Sequence, residues 1–411
     1  MARQNGELRR EVGLAGAVLL GLGSMVGTGV FVSLGLAVDV AGSAAVGAVL
    51  IAAVVAMCNG LSSAQLAAAN PVAGGTYEYA YRYLHPVAGL AAGWLFLVAK
   101  SASAGTAALG IAAYLGLGTA RAPALAALVV VTGLVLTGIR RSNQANAVVV
   151  AVSVGALVVL VVFAAGEAGA VPTGTAGDPA DLARAAALVF VAFTGYGRVA
   201  TLGEEVRSPR RTIPRAVVVT VLVTALLYVS VTFVLSRLGT GTAEEGSPLI
   251  PIAQAVGGSG LAGFVRVGAL TAMVGVLLNL LLGLSRVVLA MGRRRDLPVV
   301  TASIDRAGRT PTVAVLAVAV AVAGFVLIGD IRTTWSFSAL TVLLYYAVTN
   351  LAALRQPAEE RRVPVVVQWT GLIGCVSLAV FMDPVMWLWA AALLAVGVVF
   401  HGWRQRRLDG R

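Results

Sequence analysis

Gly21-Leu22-Gly23-Ser24-Met25-Val26-Gly27-Thr28-Gly29-Val30-Phe31 occupies the middle of the first long apolar run of a 411-residue chain. Glycine costs a helix about 1 kcal/mol relative to alanine. Four glycines with Ser24 and Thr28 among them therefore mark a place where a helix can break. A second such stretch, Phe193-Thr194-Gly195-Tyr196-Gly197-Arg198, falls in the sixth apolar run. Gly-interrupted segments at matching positions of two halves point to an inverted-repeat transporter whose binding site lies at the breaks. The alternative is a pair of small-residue seams, where helices approach closely without unwinding. One stretch alone leaves the two readings level; two in register favour the transporter.

Around these stretches the chain is apolar throughout. It is 59% hydrophobic and 12% charged, with a mean hydropathy of +0.91. Soluble domains carry about 25% charged residues, so an ordinary soluble enzyme, a disordered chain and a secreted disulfide scaffold are excluded. Apolar runs at 12–38, 42–69, 86–117, 122–139, 145–166, 182–203, 214–238, 261–291, 312–329, 332–354, 364–381 and 384–403 predict about twelve membrane-crossing helices, at roughly 20 residues per crossing. Lipid leaves the backbone no choice but helices or a closed barrel, and the runs lack a barrel's alternation. Two connections, 167–181 and 239–260, are longer and polar; Ile252, Ala253 and Val256 in the second predict a short helix on the outer surface.

Arginine placement sets the expected orientation. Twenty-two arginines, including Arg9, Arg10, Arg140, Arg141, Arg210 and Arg211, fall on one side of the runs, and only Arg121, Arg184, Arg237 and Arg332 on the other. The positive-inside rule makes the first side cytoplasmic, with both termini inside. The alanine, glycine and arginine bias further suggests the inner (plasma) membrane of a prokaryote. The net charge of +12 is thus spread over loop clusters, and nucleic-acid binding is not expected. No cleavable leader is expected either, since the first apolar run is too long and leads into more of the same. Cys58, Cys375, His85 and His401 lack the spacing of a metal site or a disulfide framework, so no metal or cofactor is expected. No phosphate-binding Gly-rich loop or catalytic constellation stands out, which argues against an ATP-driven pump or an enzyme.

Broken helices carry specific chemistry. A half-helix that starts at a break exposes N–H groups and a positive dipole end, and one that stops there exposes carbonyls. An α-amino acid, with a carboxylate and an ammonium on one carbon, suits both. The expected donors are the N–H groups of Thr28, Gly29 and Val30, with the Thr28 hydroxyl assisting. The expected acceptors are carbonyls near Met25, Val191 and Thr194. Gly27, Gly29 and Gly195 would let a ligand reach the backbone, and Phe193 and Tyr196, with the third and eighth runs, would line the side-chain pocket.

The motifs resemble the amino acid–polyamine–organocation superfamily of permeases. Gly23 to Phe31 is similar to that family's opening signature, and Asn70-Pro71-Val72-Ala73-Gly74-Gly75-Thr76-Tyr77-Glu78-Tyr79 to its loop after the second span. Phe193 through Ala216 resembles its sixth span and following loop. Ser285-Arg286, Ala290-Met291, Leu297-Pro298 and Arg309-Thr310-Pro311 resemble the end of the eighth span and its loop. The resemblance implies an all-α membrane protein of the leucine-transporter type. Its parts would be a leading segment (1–11), two five-helix repeats (12–168 and 169–355) whose first helices are broken, two further helices (356–403) and a tail (404–411). It also implies secondary active transport of amino acids or related amines. Two departures stand out: where family members often carry an acid, Gly197 is followed by Arg198, and the fifth run holds no lysine, leaving Ser153 as its nearest polar candidate.

Lys100 is the single lysine, in the middle of the third run. A charge at mid-bilayer costs about 2.5–3.5 kcal/mol on insertion scales. Either Ser101, Ser103 or a neighbouring helix satisfies it, or it faces the central site and balances substrate charge or exchanges a proton. Arg198, always protonated, can gate or pair with Glu204 but cannot carry a proton; Glu204 can equally anchor its loop. The expected activity is alternating-access uptake of amino acids, with neutral ones the default, coupled to protons or by exchange. Anionic amino acids, polyamines or other amines are the alternatives. A channel, scaffold or sensor is the rival class, and a channel should show filter loops or charged rings, which the sequence lacks.

Overall fold

The structure is a computed structural model; it describes residues 12–70, 74–118, 120–138, 143–166, 178–200, 206–239, 246–304 and 310–409. It is all-helical among these residues. The helices run in chain order as α1 (Leu14–Met25), α2 (Leu34–Ala41), α3 (Ala45–Ala69), α4 (Thr76–Tyr83), α5 (Pro86–Tyr114), α6 (Arg121–Leu136), α7 (Asn143–Ala165), α8 (Pro179–Phe193), α9 (Tyr196–Ala200), α10 (Pro209–Leu238), α11 (Leu249–Arg293), α12 (Thr312–Ile328), α13 (Ile331–Leu354), α14 (Val365–Val380) and α15 (Pro384–Asp409). Several of their starts follow ordinary capping chemistry. Asp178 accepts the Asp181 N–H and Asp330 the Thr333 N–H, while Pro86, Pro179 and Pro209 open their helices.

Each predicted apolar run corresponds to a helix or a broken pair of helices. Among the described residues, seven helices or fused helical stretches are long and apolar enough to cross a bilayer, and α1, α6 and α12 are shorter apolar helices. The chain is a multi-pass membrane protein. Differences from the predicted boundaries have local causes. α11 starts twelve residues before the predicted 261, because the expected short helix after Ser247 runs into it through Gly258, whose φ of +66° turns the chain. α14 and the start of α15 meet at 113° across Phe381–Asp383. α4 was not expected: its stretch reads as a loop because it is short and polar, yet it buries Thr76, Tyr77, Tyr79 and Ala80.

The packing centres on the middle of the chain. α5 is buried along most of its length and lies against α11 and α13. α7 packs on α11 and α1, and α13 packs on α5 and α8. α3 lies on α8 and on α10, while α10 lies on α1; α6 and α12 touch each other and both reach α5 and α11. The outward faces, such as Val129, Leu226, Val320 and Leu388, stay apolar and exposed, as lipid-facing surfaces require.

Candidate functional site

Both predicted interruptions are breaks in the helices. α1 stops at Met25. Val26 takes an extended conformation (φ −76°, ψ 98°), although its N–H still reaches Leu22 O at 2.7 Å. Helical winding resumes at Thr28 as a wide π-turn over Gly29–Ser33 before α2 begins. The second break is tighter. α8 ends at Phe193, Thr194 and Gly195 form a turn, and the five-residue α9 follows.

The breaks touch. A Cβ on Gly195 would lie 2.5 Å from the Ser24 carbonyl carbon and oxygen, and one on Gly29 would lie 2.4 Å from Ala192 Cβ. At Gly27 the neighbour is a side chain, Val276 Cγ2 at 2.3 Å. The close-packing reading and the broken-helix reading therefore both describe these glycines. In this conformation they seat protein atoms against the breaks, so a ligand reaching the backbone would have to displace them.

Tyr228, from α10, is a residue that sequence reasoning missed. Its hydroxyl donates to Met25 O at 2.7 Å and lies 3.3 Å from Ala192 O, so one phenol sits across carbonyls from the ends of both interrupted helices. Its ring packs 5.0 Å from that of Phe193. Thr28 Oγ1, by contrast, is buried and has no hydrogen-bond partner. Leaving a buried hydroxyl unmatched costs about 1–3 kcal/mol.

Lys100 reaches the second break. Its Nζ donates to Thr194 Oγ1 at 2.7 Å, and that hydroxyl donates in turn to Val191 O at 2.6 Å. Ser103, named as a possible partner for the lysine, instead pairs with Ser338, and Thr106 with Thr334. Tyr346 closes the other side. Its ring lies 5.2 Å from Tyr196 and 5.8 Å from Phe190, and its hydroxyl is 3.4 Å from Thr194 O.

The remaining candidates lie elsewhere. Ser153 is buried in the seam between α7 and α11 and gives its hydroxyl to Val149 O and Gly268 O. Asn146, one helical turn from the start of α7 and also missed, reaches α1 by donating to Leu19 O at 3.0 Å, and its amide packs over Gly23. Arg198 is exposed on α9, and Glu204 lies outside the described residues. The signal for Tyr228 and Asn146 was present in the sequence: each is a hydrogen-bonding side chain inside an apolar run. A cavity of about 270 Å³ between α7 and α10, lined by Val161, Ala164, Phe233 and Arg237, includes none of the break residues.

At one end of the bundle α4 joins helices from both halves. Arg294 pairs with Glu78 and covers the Tyr81 ring, while the Tyr77 and Tyr81 hydroxyls share Asp296 Oδ2 at 2.5 and 2.7 Å. On its other side, Tyr83 donates to Glu360 at 2.6 Å, Arg82 lies 3.5 Å from the same carboxylate, and Thr76 meets Thr349 at 2.7 Å. Burial raises the Glu78 carboxyl above the ordinary carboxylate range despite the attraction of Arg294. Glu360 moves the opposite way, held down first by the Tyr83 hydrogen bond and then by Gln356 and Arg82.

Comparison with known proteins places this architecture. Residues 16–400 match the model of a family described as amino acid permease. An uncharacterized transporter of Mycobacterium tuberculosis is 41% identical over 97% of this chain and 92% of its own length. A branched-chain amino acid permease of Bacillus subtilis is 29% identical over 76% of this chain and 74% of its own. A vacuolar cationic amino acid transporter of Arabidopsis thaliana is 26% identical over 85% of this chain and 63% of its own.

Proposed function

We propose, from the premise that the chain belongs to the amino acid permease family, that it is a secondary active transporter moving amino acids by alternating access. The observation that carries this is the contact between two broken helices, Gly195 on Ser24 and Gly29 on Ala192, beside the unmatched buried hydroxyl of Thr28. A substrate carboxylate would take the N–H groups of Thr28, Gly29 and Val30 and the Thr28 hydroxyl. Its ammonium would take carbonyls at Met25, Val191 and Thr194. In the present conformation Met25 O accepts from Tyr228 and keeps a second lone pair. Val191 O, by contrast, takes both the N–H and the hydroxyl of Thr194, and Thr194 O takes the Gly197 N–H and lies 3.4 Å from the Tyr346 hydroxyl, so these two must be released before an ammonium can use them. Substrate entry then requires the breaks to part, and that motion is the alternation. Phe193 and Tyr196 would form the side-chain pocket, with neutral amino acids the default.

An inverted five-plus-five repeat, residues 12–168 and 169–355, is supported by the packing. Exchanging each span for the one five places later turns the contacts of α7 with α11 and α1 into those of α13 with α5 and α8. The same exchange turns α3 on α8 into α10 on α1, and leaves α3 on α10 and α6 on α12 unchanged. Coupling to protons, or exchange, is the remaining part of the proposal, with Lys100 as the candidate at the site, Arg198 and Glu204 as gating candidates and Ser153 as a more distant one. Both termini would face the cytoplasm at a prokaryotic inner membrane.

Uptake of labelled amino acids by the purified protein in liposomes tests the proposal. Saturable flux that unlabelled substrate competes away supports a carrier; a large, non-saturating conductance would mean a channel, and no flux at all a scaffold or sensor.

A further inference from the structure

We propose that Lys100 sets the charge class of the substrate, admitting amino acids with neutral or acidic side chains and refusing cationic ones. The inference rests on the amino acid site read above. Lys100 is 9% exposed, and its Nζ lies 2.7 Å from Thr194 Oγ1, on the turn of the second break. An ammonium carries three donors. Thr194 accepts one of them and spends its own proton on Val191 O. Among the described residues no other hydrogen bond leaves Nζ, and no carboxylate lies within ion-pair distance of it. Ser103 and Thr106 are taken up by α13.

The consequence is electrostatic. A cation with unused donors and, among the described residues, no counter-charge stands at the turn where the ligand is expected. An incoming carboxylate or carbonyl can take the spare N–H groups, whereas an incoming ammonium or guanidinium meets like charge in a medium that screens poorly. Family membership does not settle the matter, since one relative is named for cationic amino acids and another for branched-chain ones. Charge selection must therefore be local, and Lys100 is a basic side chain in hydrogen-bond contact with the break.

The test is vesicle uptake of labelled leucine, glutamate and arginine by the wild type, Lys100→Gln and Lys100→Arg. The wild type should carry leucine, glutamate or both and leave arginine at background. Lys100→Gln should raise the arginine-to-leucine uptake ratio by at least about tenfold, a modest figure for removing a like charge a few ångströms away. Lys100→Arg, which keeps the charge, should still refuse arginine; a purely structural lysine would give no such rescue. Arginine carried by the wild type as well as leucine overturns the inference while leaving the carrier intact, and this arm decides the matter even where a variant misfolds. An unchanged ratio in a monodisperse Lys100→Gln protein also overturns it. Failure of the wild type to carry any of the three removes the amino acid site and this inference with it.

Discussion

The two breaks occupy matching places in the chain but are built from different materials. At Val26–Thr28 the chain leaves the helix through an extended residue and re-enters through a π-turn, and the groups that meet it are a valine, a phenol and backbone. At Thr194–Gly195 the interruption is one short turn, and it carries a lysine, a threonine doubly engaged in hydrogen bonds and a tyrosine cluster. The first break thus offers bare main-chain poles, which suit what all amino acids share. The second offers side-chain chemistry, which can tell one amino acid from another. On the proposed repeat both breaks have one origin, and the difference between them separates the tasks proposed for them.

Substituting the glycines should expose that difference most strongly. At Gly195 the obstacle to a Cβ is the Ser24–Met25 backbone at 2.5–2.7 Å, which has no rotamer to yield. Gly195→Val should reduce uptake to background and lower the melting temperature sharply. At Gly27 the obstacle is the end of Val276, so Gly27→Ala should cost no more than about 1–3 kcal/mol, the usual price of overpacking, and keep measurable uptake. Equal tolerance at both positions, read by melting and uptake together, would remove the claim that the breaks are pressed backbone to backbone at the second.

Tyr228 spans the two regions, so its loss should be the next largest effect. Tyr228→Phe removes the donor to Met25 O and leaves that carbonyl short of a partner, for about 1–3 kcal/mol. If a substrate ammonium uses the same carbonyl, saturating substrate should recover part of the lost melting temperature. A deficit of the same size with and without substrate would separate Met25 O from the ligand.

A smaller effect, and one of opposite sign at the two breaks, is expected from the threonines. Thr28→Val removes a buried hydroxyl that has no partner, so the ligand-free protein should be as stable as the wild type or slightly more so, while apparent substrate affinity weakens. Thr194→Val removes a hydroxyl that accepts from Lys100 and donates to Val191 O, so the ligand-free protein itself should lose stability. Melting curves of the two variants, each with and without substrate, read both signs at once.

The positions of the helices were legible because burial in lipid writes them as long apolar runs, and the breaks were legible because glycine and threonine are costly in mid-helix. What sequence could not show was which polar atom meets which. Lys100 was visible as a misplaced charge, but its landing on Thr194 depends on how α5 faces α8. Tyr228 and Asn146 were each one polar residue in an apolar run, with nothing in the spacing to say that they reach α1. α4 was missed for a different reason: two turns of polar and aromatic residues give no hydropathy signal, and the helix is held by partners more than two hundred residues away in the sequence.

The clamp around α4 gives the smallest expected effect and a control for the others. Glu360 is held below its ordinary value, so its contribution to stability is present above the unfolded carboxylate pKa and is lost as pH falls through the lowered one. Glu78 is raised, so the folded state takes up its proton first, and stability rises as pH falls toward its range. The two sides of α4 therefore pull in opposite directions under acid, the half-buried Glu78 as it binds its proton and the more open Glu360, better screened by solvent, as it loses its charge. Melting temperature followed downward from about pH 7 through and below the ordinary carboxylate range of about 4 should gain from Glu78 on the way down and lose from Glu360 only at the acid end. Glu78→Gln should remove the gain and leave only the loss at the acid end, and Glu360→Gln should keep the gain and remove that loss. A strong pH dependence of uptake that survives both substitutions cannot come from these two carboxylates and points back to other groups, the Lys100–Thr194 contact at the second break among them.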